Sequence, residues 1–280
     1  MRLLAFAGAH DNQQVALSFL RRLEDLQPRP DLFISAGDLA PEWMVTIFEA
    51  LSGYDRPILY ILGNHCLHYE SSLLKASLGR VQELPQVHSL AKDSFEFNGW
   101  SFVGQDALTD FTDDEKDLER YHDLVARTRG LSPDRTILVT HHAPLGVFDG
   151  GWSYPLHSFR DRRGNLHAGS LALRFFSEEF RPRCHIFAHL HSDGCRHALV
   201  GETFYANVCH LERRTKDGRY GITGSFDLID LEQMKVTLYQ LGALSPRMCA
   251  QCGEVNYLVY ERCINCSKGP SDLILSEDLP

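Results

Sequence analysis

The sequence predicts an α/β fold with a mixed sheet or two packed sheets, and three observations carry that expectation. Short apolar runs recur at 3–7, 32–35, 58–62, 101–103, 137–140 and 185–188. Stretches of helical period separate the first three, and beyond residue 200 the rhythm changes to alternation. Apolar runs of this length suit strands buried on both faces, as in a sheet covered by helices. Residues 13–26 and 42–51 place apolar side chains at three- and four-residue steps, which is the helical period. The resulting βαβαβ order implies right-handed crossovers. Segments 200–208, 222–230 and 235–241 alternate in the manner of antiparallel strands, with Leu231-Glu232-Gln233 as a turn between the last two.

The chain of 280 residues is 44% hydrophobic and 23% charged, which excludes a disordered, collagenous or coiled-coil protein. Lys+Arg 28 against Asp+Glu 37 gives a net charge of −9, so no bulk positive field gathers long nucleic acids. No run approaches the ~18 apolar residues that a membrane-spanning helix needs. The apolar stretch 3–9 runs straight into His10-Asp11 and reads as a buried strand rather than a signal peptide. On that reading the expected location is the cytosol, and the eight cysteines are thiols or metal ligands rather than disulfides.

Two stretches interrupt the α/β rhythm. Residues 142–168 are rich in Gly, Pro and aromatics, and a long segment of that kind inside a compact domain is usually functional or disordered. A linker is expected at 242–246. The expected division is therefore a catalytic domain at 1–242, a cysteine-rich module at 243–268 and a mobile tail at 269–280.

Polar residues gather just after the apolar runs. Gly8-Ala9-His10 follows the first, Gly37-Asp38 the second and Gly63-Asn64-His65 the third; Thr140-His141-His142 and Ala188-His189-Leu190-His191 follow later ones. In open α/β sheets ligands bind beyond the carboxyl ends of strands, so these groups are expected at one edge. Imidazole, carboxylate and amide oxygen together suit a divalent transition metal. His189 and His191, at i and i+2 on an extended segment, point the same way.

With this ordered set, residues 1–242 resemble the calcineurin-like metallophosphoesterase superfamily, in particular its phosphodiesterase-like branch. The resemblance implies a four-layer α/β/β/α sandwich with two divalent metals, Mn, Fe or Zn, at the strand ends. It implies that one metal takes His10, Asp38 and His191, and the other Asp38, Asn64, His141 and His189, with His65 as the catalytic histidine. His141 aligns better than its neighbour; His142 is left as a second candidate, either touching substrate or simply exposed. Two departures stand out. Gly8 occupies the position where the family has an aspartate, as in the similar lariat-debranching enzymes, which implies a weaker first site unless Asp11 compensates. Cys66 replaces the acidic residue that often follows the catalytic histidine.

Trp152, Tyr154 and Phe159 are interleaved with Arg160, Arg162 and Arg163. Aromatic faces stack on bases and arginine forks suit phosphate; a plain surface loop has the same composition. Cys249, Cys252, Cys263 and Cys266 form a CxxC…CxxC pair whose spacing suits a tetrahedral structural zinc, with 257–260 as a short strand, as in the zinc ribbons it resembles. A redox CxxC is the alternative. The expected function is hydrolysis of phosphodiesters of nucleotides or nucleic-acid ends by metal-activated water. The alternatives are a phosphomonoesterase acting on proteins or metabolites, and a degenerate binding or scaffold protein. The module's role is open among contact with nucleic acid, contact with a protein partner, and a lid on the catalytic domain.

Overall fold

Two six-stranded sheets, each mixed, form the centre of the protein. The computed structural model describes residues 1–108, 114–150, 159–160, 166–191, 194–208, 211, 213–214, 220–221, 224–241, 246–249, 255–257 and 273–275. The first sheet contains β1 (Arg2–Phe6), β2 (Leu32–Ser35), β3 (Ile58–Tyr60) and β4 (Val87–Ser89), all parallel. The second contains β5 (Phe95–Phe97), β6 (Trp100–Gln105) and β7 (Thr136–Thr140), followed, after a short β8 (Phe159–Arg160) and β9 (Leu166–His167) ribbon, by β10 (Cys184–Phe187), β11 (His197–Val200) and β12 (Thr203–Asn207). Beyond the small β13 (Arg213–Arg214) and β14 (Tyr220–Gly221) pair, β15 (Ser225–Asp230) and β16 (Lys235–Gln240) return to the first sheet, antiparallel to β1 and to each other. The strand orders are β16-β15-β1-β2-β3-β4 and β11-β12-β10-β7-β6-β5.

Six helices among the described residues cover the outer faces: α1 (Gln13–Glu24), α2 (Pro41–Ser52), α3 (Asn64–His68), α4 (Ser71–Gln82), α5 (Asp114–Arg127) and α6 (Leu171–Phe180). Caps fix where they begin. Asn12 accepts from Val15 N–H and Ser170 from Leu173 N–H, each satisfying a helix-terminal donor, while Pro41 opens α2 with its φ already set.

Period-two alternation explains the unbroken apolar strands. Leu4 and Phe6 pack with Phe19 of α1 and Phe48 of α2, whereas Leu3 and Ala5 face Ile137, Val139 and Ile186 of the other sheet. On the far side Val103 and Leu138 meet Leu124, Leu173 and Phe176 of α5 and α6. The layers are thus helix, sheet, sheet, helix. Each fully buried Phe or Leu contributes about 1.5–3 kcal/mol of transfer free energy, and these residues line all three interfaces.

Strands at 32–35 and 235–240 lie where the sequence suggests. Segment 200–208 differs: β11 ends at Val200, the chain turns at Gly201, whose φ of 62° admits the reversal, and β12 begins at Thr203. β12 is antiparallel to β11 but parallel to β10. Within segment 222–230 the described strand is β15, Ser225–Asp230.

At the C-terminus β17 (Pro246–Cys249), β18 (Val255–Tyr257) and β19 (Leu273–Leu275) form a three-stranded sheet, so part of the stretch expected as tail pairs with β17. Of the expected zinc ligands, Cys252, Cys263 and Cys266 lie outside the described residues, and Cys249 is described only in its backbone. No helix among the described residues is long and apolar enough to cross a membrane.

Candidate metal centre

Every strand-end motif lies just past the carboxyl end of a parallel strand. His10 follows β1, Asp38 follows β2, and Asn64 and His65 open α3 after β3; His141 follows β7, and His189 and His191 follow β10. Both sheets therefore contribute to one rim. Main-chain bonds continue the β1–β2 pairing to that rim: His10 N–H donates to Asp38 O at 2.8 Å and Ala40 N–H to His10 O at 2.8 Å.

The backbone there is strained in the same way at three donors. His10, Asp38 and His189 have φ of 48°, 57° and 67°. Left-handed conformations cost a residue with a Cβ about 1–2 kcal/mol each, so the surrounding bonds hold these side chains where an ordinary strand end would not. Two glycines are dictated by closeness. A Cβ on Gly63 would stand 2.1 Å from Asp38 Oδ1, and one on Gly37 would stand 2.9 Å from His141 Nδ1.

Two groups of donors converge among the described residues: His10, Asp38 and His65, and Asp38, His141 and His189. Asn64 Oδ1 completes the second, 2.9 Å from His141 Nε2 and 3.0 Å from His189 Nδ1. Asp38 Oδ2 lies 3.2 Å from the same His141 Nε2, and Asp38 Oδ1 accepts from His65 N–H at 2.9 Å. In the first group His10 Nε2 faces His191 Nε2 at 3.1 Å, and the His65 ring stands edge-on to His10 with centroids 4.5 Å apart.

Burial alone would raise the Asp38 carboxyl, but the imidazoles of His141, His10 and His65 outweigh it and hold the group well below the usual carboxylate range. Burial, then the neighbouring His141, pushes His189 well below its ordinary value, so this ring is neutral and carries a lone pair. Cys66 is buried, donates to Leu39 O at 3.3 Å, and has its thiol pushed up to about 12 by burial and by Asp38, so it stays protonated.

The adjacent histidines are set apart by their surroundings. His141 Nδ1 lies 2.8 Å from Ala36 O; a carbonyl only accepts, so Nδ1 carries the proton and Nε2 turns its lone pair toward Asp38 and Asn64. His142 is fully buried, its Nδ1 is 3.4 Å from Arg120 Nη1, and it offers no exposed surface to a substrate. Asp11 is exposed and belongs to neither converging group. Trp152, Tyr154, Arg162 and Arg163 lie outside the described residues, and Phe159 and Arg160 are described only in their backbone, within β8. Arg120 and Asp106, which touch this arrangement from behind, carry no signal in the sequence.

A family model described as calcineurin-like phosphoesterase matches residues 1–193. The chain belongs to the calcineurin-like phosphoesterase family. That family is one of metal-dependent phosphoester hydrolases, generally with two metal ions. No curated protein matches the sequence. Among solved structures, one aligns with a TM-score of 0.62 at 16% identity, covering 86% of this chain and 99% of its own. TT1561 of Thermus thermophilus aligns with a TM-score of 0.60 at 13% identity, over 86% of this chain and 99% of that one. At such identities the likeness is one of fold.

The donor set of this calcineurin-like phosphoesterase fits divalent metal. His141 Nε2 turns its lone pair toward Asn64 Oδ1 at 2.9 Å and Asp38 Oδ2 at 3.2 Å, an arrangement that repels itself until a cation or proton stands among them. One carboxylate and one amide oxygen are hard donors and two imidazoles borderline ones, a mixed set that suits a divalent first-row transition metal.

Proposed function

We propose that this calcineurin-like phosphoesterase hydrolyses phosphodiesters, with nucleotides or nucleic-acid ends as the substrate class. The observation that carries the reading is the convergence of His10, Asp38, His65, Asn64, His141 and His189 from both sheets on one rim. Asp38, Asn64, His141 and His189 would hold one divalent ion; His10, Asp38 and His191 would hold the other. When bound, such ions supply Lewis acidity to a phosphoryl oxygen and lower the pKa of a coordinated water toward neutrality.

His65 has the place of an acid. It is half-buried, its backbone N–H is held by Asp38, and its ring stands edge-on to His10. Proton donation from such a position is worth roughly 10²–10⁴-fold in rate. Gly8 places no charged ligand on the first ion, which supports unequal sites, the first binding more weakly. The aromatic and arginine composition of 152–163 supports a nucleotide substrate, and Cys249, Cys252, Cys263 and Cys266 are proposed to hold one structural zinc, in a module open to a protein or nucleic-acid partner. A cytosolic location fits the proposal.

The test is release of nitrophenol from bis-p-nitrophenyl phosphate with Mn²⁺ added, beside the monoester analogue. Faster diester hydrolysis, lost in His65→Ala while metal content is kept, is the expected result. Faster monoester hydrolysis would move the substrate to phosphomonoesters. Absence of both activities in a metal-loaded protein would leave a binding protein built on a degenerate site, the reading that Gly8 favours.

A further inference from the structure

The inward face of α5 is polar where a helix of this layer is ordinarily apolar. Asp117 and Arg120 are only 9% and 8% exposed, two turns and one turn before Leu124 in the core. Asp117 accepts from Ser170 Oγ–H at 2.8 Å and from Ala172 N–H at 3.2 Å, which fastens the start of α6. Arg120 points toward the strand ends. Its Nη2 donates to Asp106 O at 2.7 Å, and its Nη1 reaches His142 Nδ1 at 3.4 Å.

Both contacts lead to the metal centre. Asp106 directly follows β6 in the second sheet, and its Oδ1 accepts from Leu62 N–H at 2.7 Å, just past β3 in the first. Leu62 O in turn accepts from Ala107 N–H at 2.7 Å. Leu62 is two residues before Asn64. His142 stands edge-on to His189, with centroids 4.9 Å apart and planes at 81°. A buried cation thus contacts Asp106 and His142 directly, and through Leu62 and the His142 ring it is linked to the segments bearing Asn64 and His189, with His141 next to His142 in the chain.

We propose that Arg120 is a positioning residue for the metal centre, holding the ends of β3 and β7 across the two sheets through Asp106 and His142, at the separation where Asn64, His141 and His189 share one ion. The proposal rests on the metal-binding reading above. A guanidinium fits the task because its fork sends two donors in fixed directions, which an ammonium cannot do. A buried cation is costly unless countered, and the carboxylates of Asp117, Asp106 and Asp123 counter this one.

The experiment titrates Mn²⁺ into the full chain and follows loss of the free-ion paramagnetic resonance signal, with wild type, Arg120→Met, Arg120→Lys and Leu124→Ala in parallel. Arg120→Met should weaken Mn²⁺ binding by about 10–100-fold, the usual effect of removing a partner behind the ligands. Arg120→Lys should recover only part of that loss. Leu124→Ala, which opens the α5 core one turn on, should lower the melting temperature and leave Mn²⁺ affinity unchanged. If Arg120→Met does not fold, Arg120→Lys and Leu124→Ala decide the matter. Wild-type affinity in the arginine variants, or an equal loss in Leu124→Ala, would overturn the positioning role. Failure of wild type itself to take up Mn²⁺ would instead overturn the metal-binding reading on which it rests.

Discussion

The Nε2 atoms of His10 and His191 lie 3.1 Å apart, although 181 positions separate the two residues in the chain. One ring comes from the first sheet and the other from the second, so the contact is a direct measure of how the sheets register at the ligand rim. In the proposed centre, with glycine at position 8, these imidazoles and the shared Asp38 would be the donors left for the first ion. We expect His191→Ala to lose that ion and keep the other, with turnover down by at least about 100-fold. Metal analysis showing no change in bound equivalents would remove His191 from the centre.

Asp38 belongs to both converging groups and is their one carboxylate. Asp38→Asn keeps the size and the bond from His65 N–H but removes the charge. Mn²⁺ affinity should fall at both sites, whereas His191→Ala should affect only one. A titration still showing two wild-type sites would contradict the shared role.

His185 should make the fold acid-sensitive. Its Nε2 contacts Thr140 Oγ1 at 2.8 Å; because Thr140 donates to His142 O, the ring nitrogen must donate, and Nδ1 then accepts from Ser177 Oγ at 3.2 Å. Burial pushes its pKa down to about 3. The unfolded chain binds a proton below the ordinary value of about 6.5, while the folded chain refuses it until about 3, so stability falls as pH drops through that window. One such group contributes a slope of up to about 1.4 kcal/mol per pH unit. Urea unfolding at pH 7 and pH 5 should show a smaller difference in His185→Gln than in wild type; equal differences would mean the ring is not held neutral.

Asp227 acts in the opposite direction. It is buried on β15, no hydrogen bond reaches its Oδ1 among the described residues, and burial raises its pKa to about 8. Between about pH 4 and 8 the folded chain keeps a proton that the unfolded chain has released, so this group lowers stability as pH rises. Asp227→Asn should therefore raise the melting temperature by several degrees at pH 8, with a smaller gain at pH 5. A gain independent of pH would point to packing rather than ionisation.

Much of the rim is legible in the sequence because its donors sit beside apolar runs that can only be buried strands. Strand ends are fixed by local chemistry, and a sheet brings like ends to one edge. The helix carrying Arg120 is harder to read. Asp117 and Arg120 occupy the inward face of α5, interrupting the apolar stripe that would have marked it, and they are tolerated there because Ser170 and Asp106 supply partners from distant segments. The hairpin at β11–β12 was obscured for a local reason, since alternation continues through Gly201 and only its positive φ shows the reversal.

By itself, then, the amino-acid order determined the layered α/β class, the rim and the residue types gathered there, because these follow from burial patterns and from which side chains bind cations. Folding alone sets His141 and His142 apart. The two are neighbours of identical chemistry, and what separates them is a carbonyl at residue 36 and a guanidinium at residue 120, groups that reach the strand end only when the two sheets and the outer helix have packed.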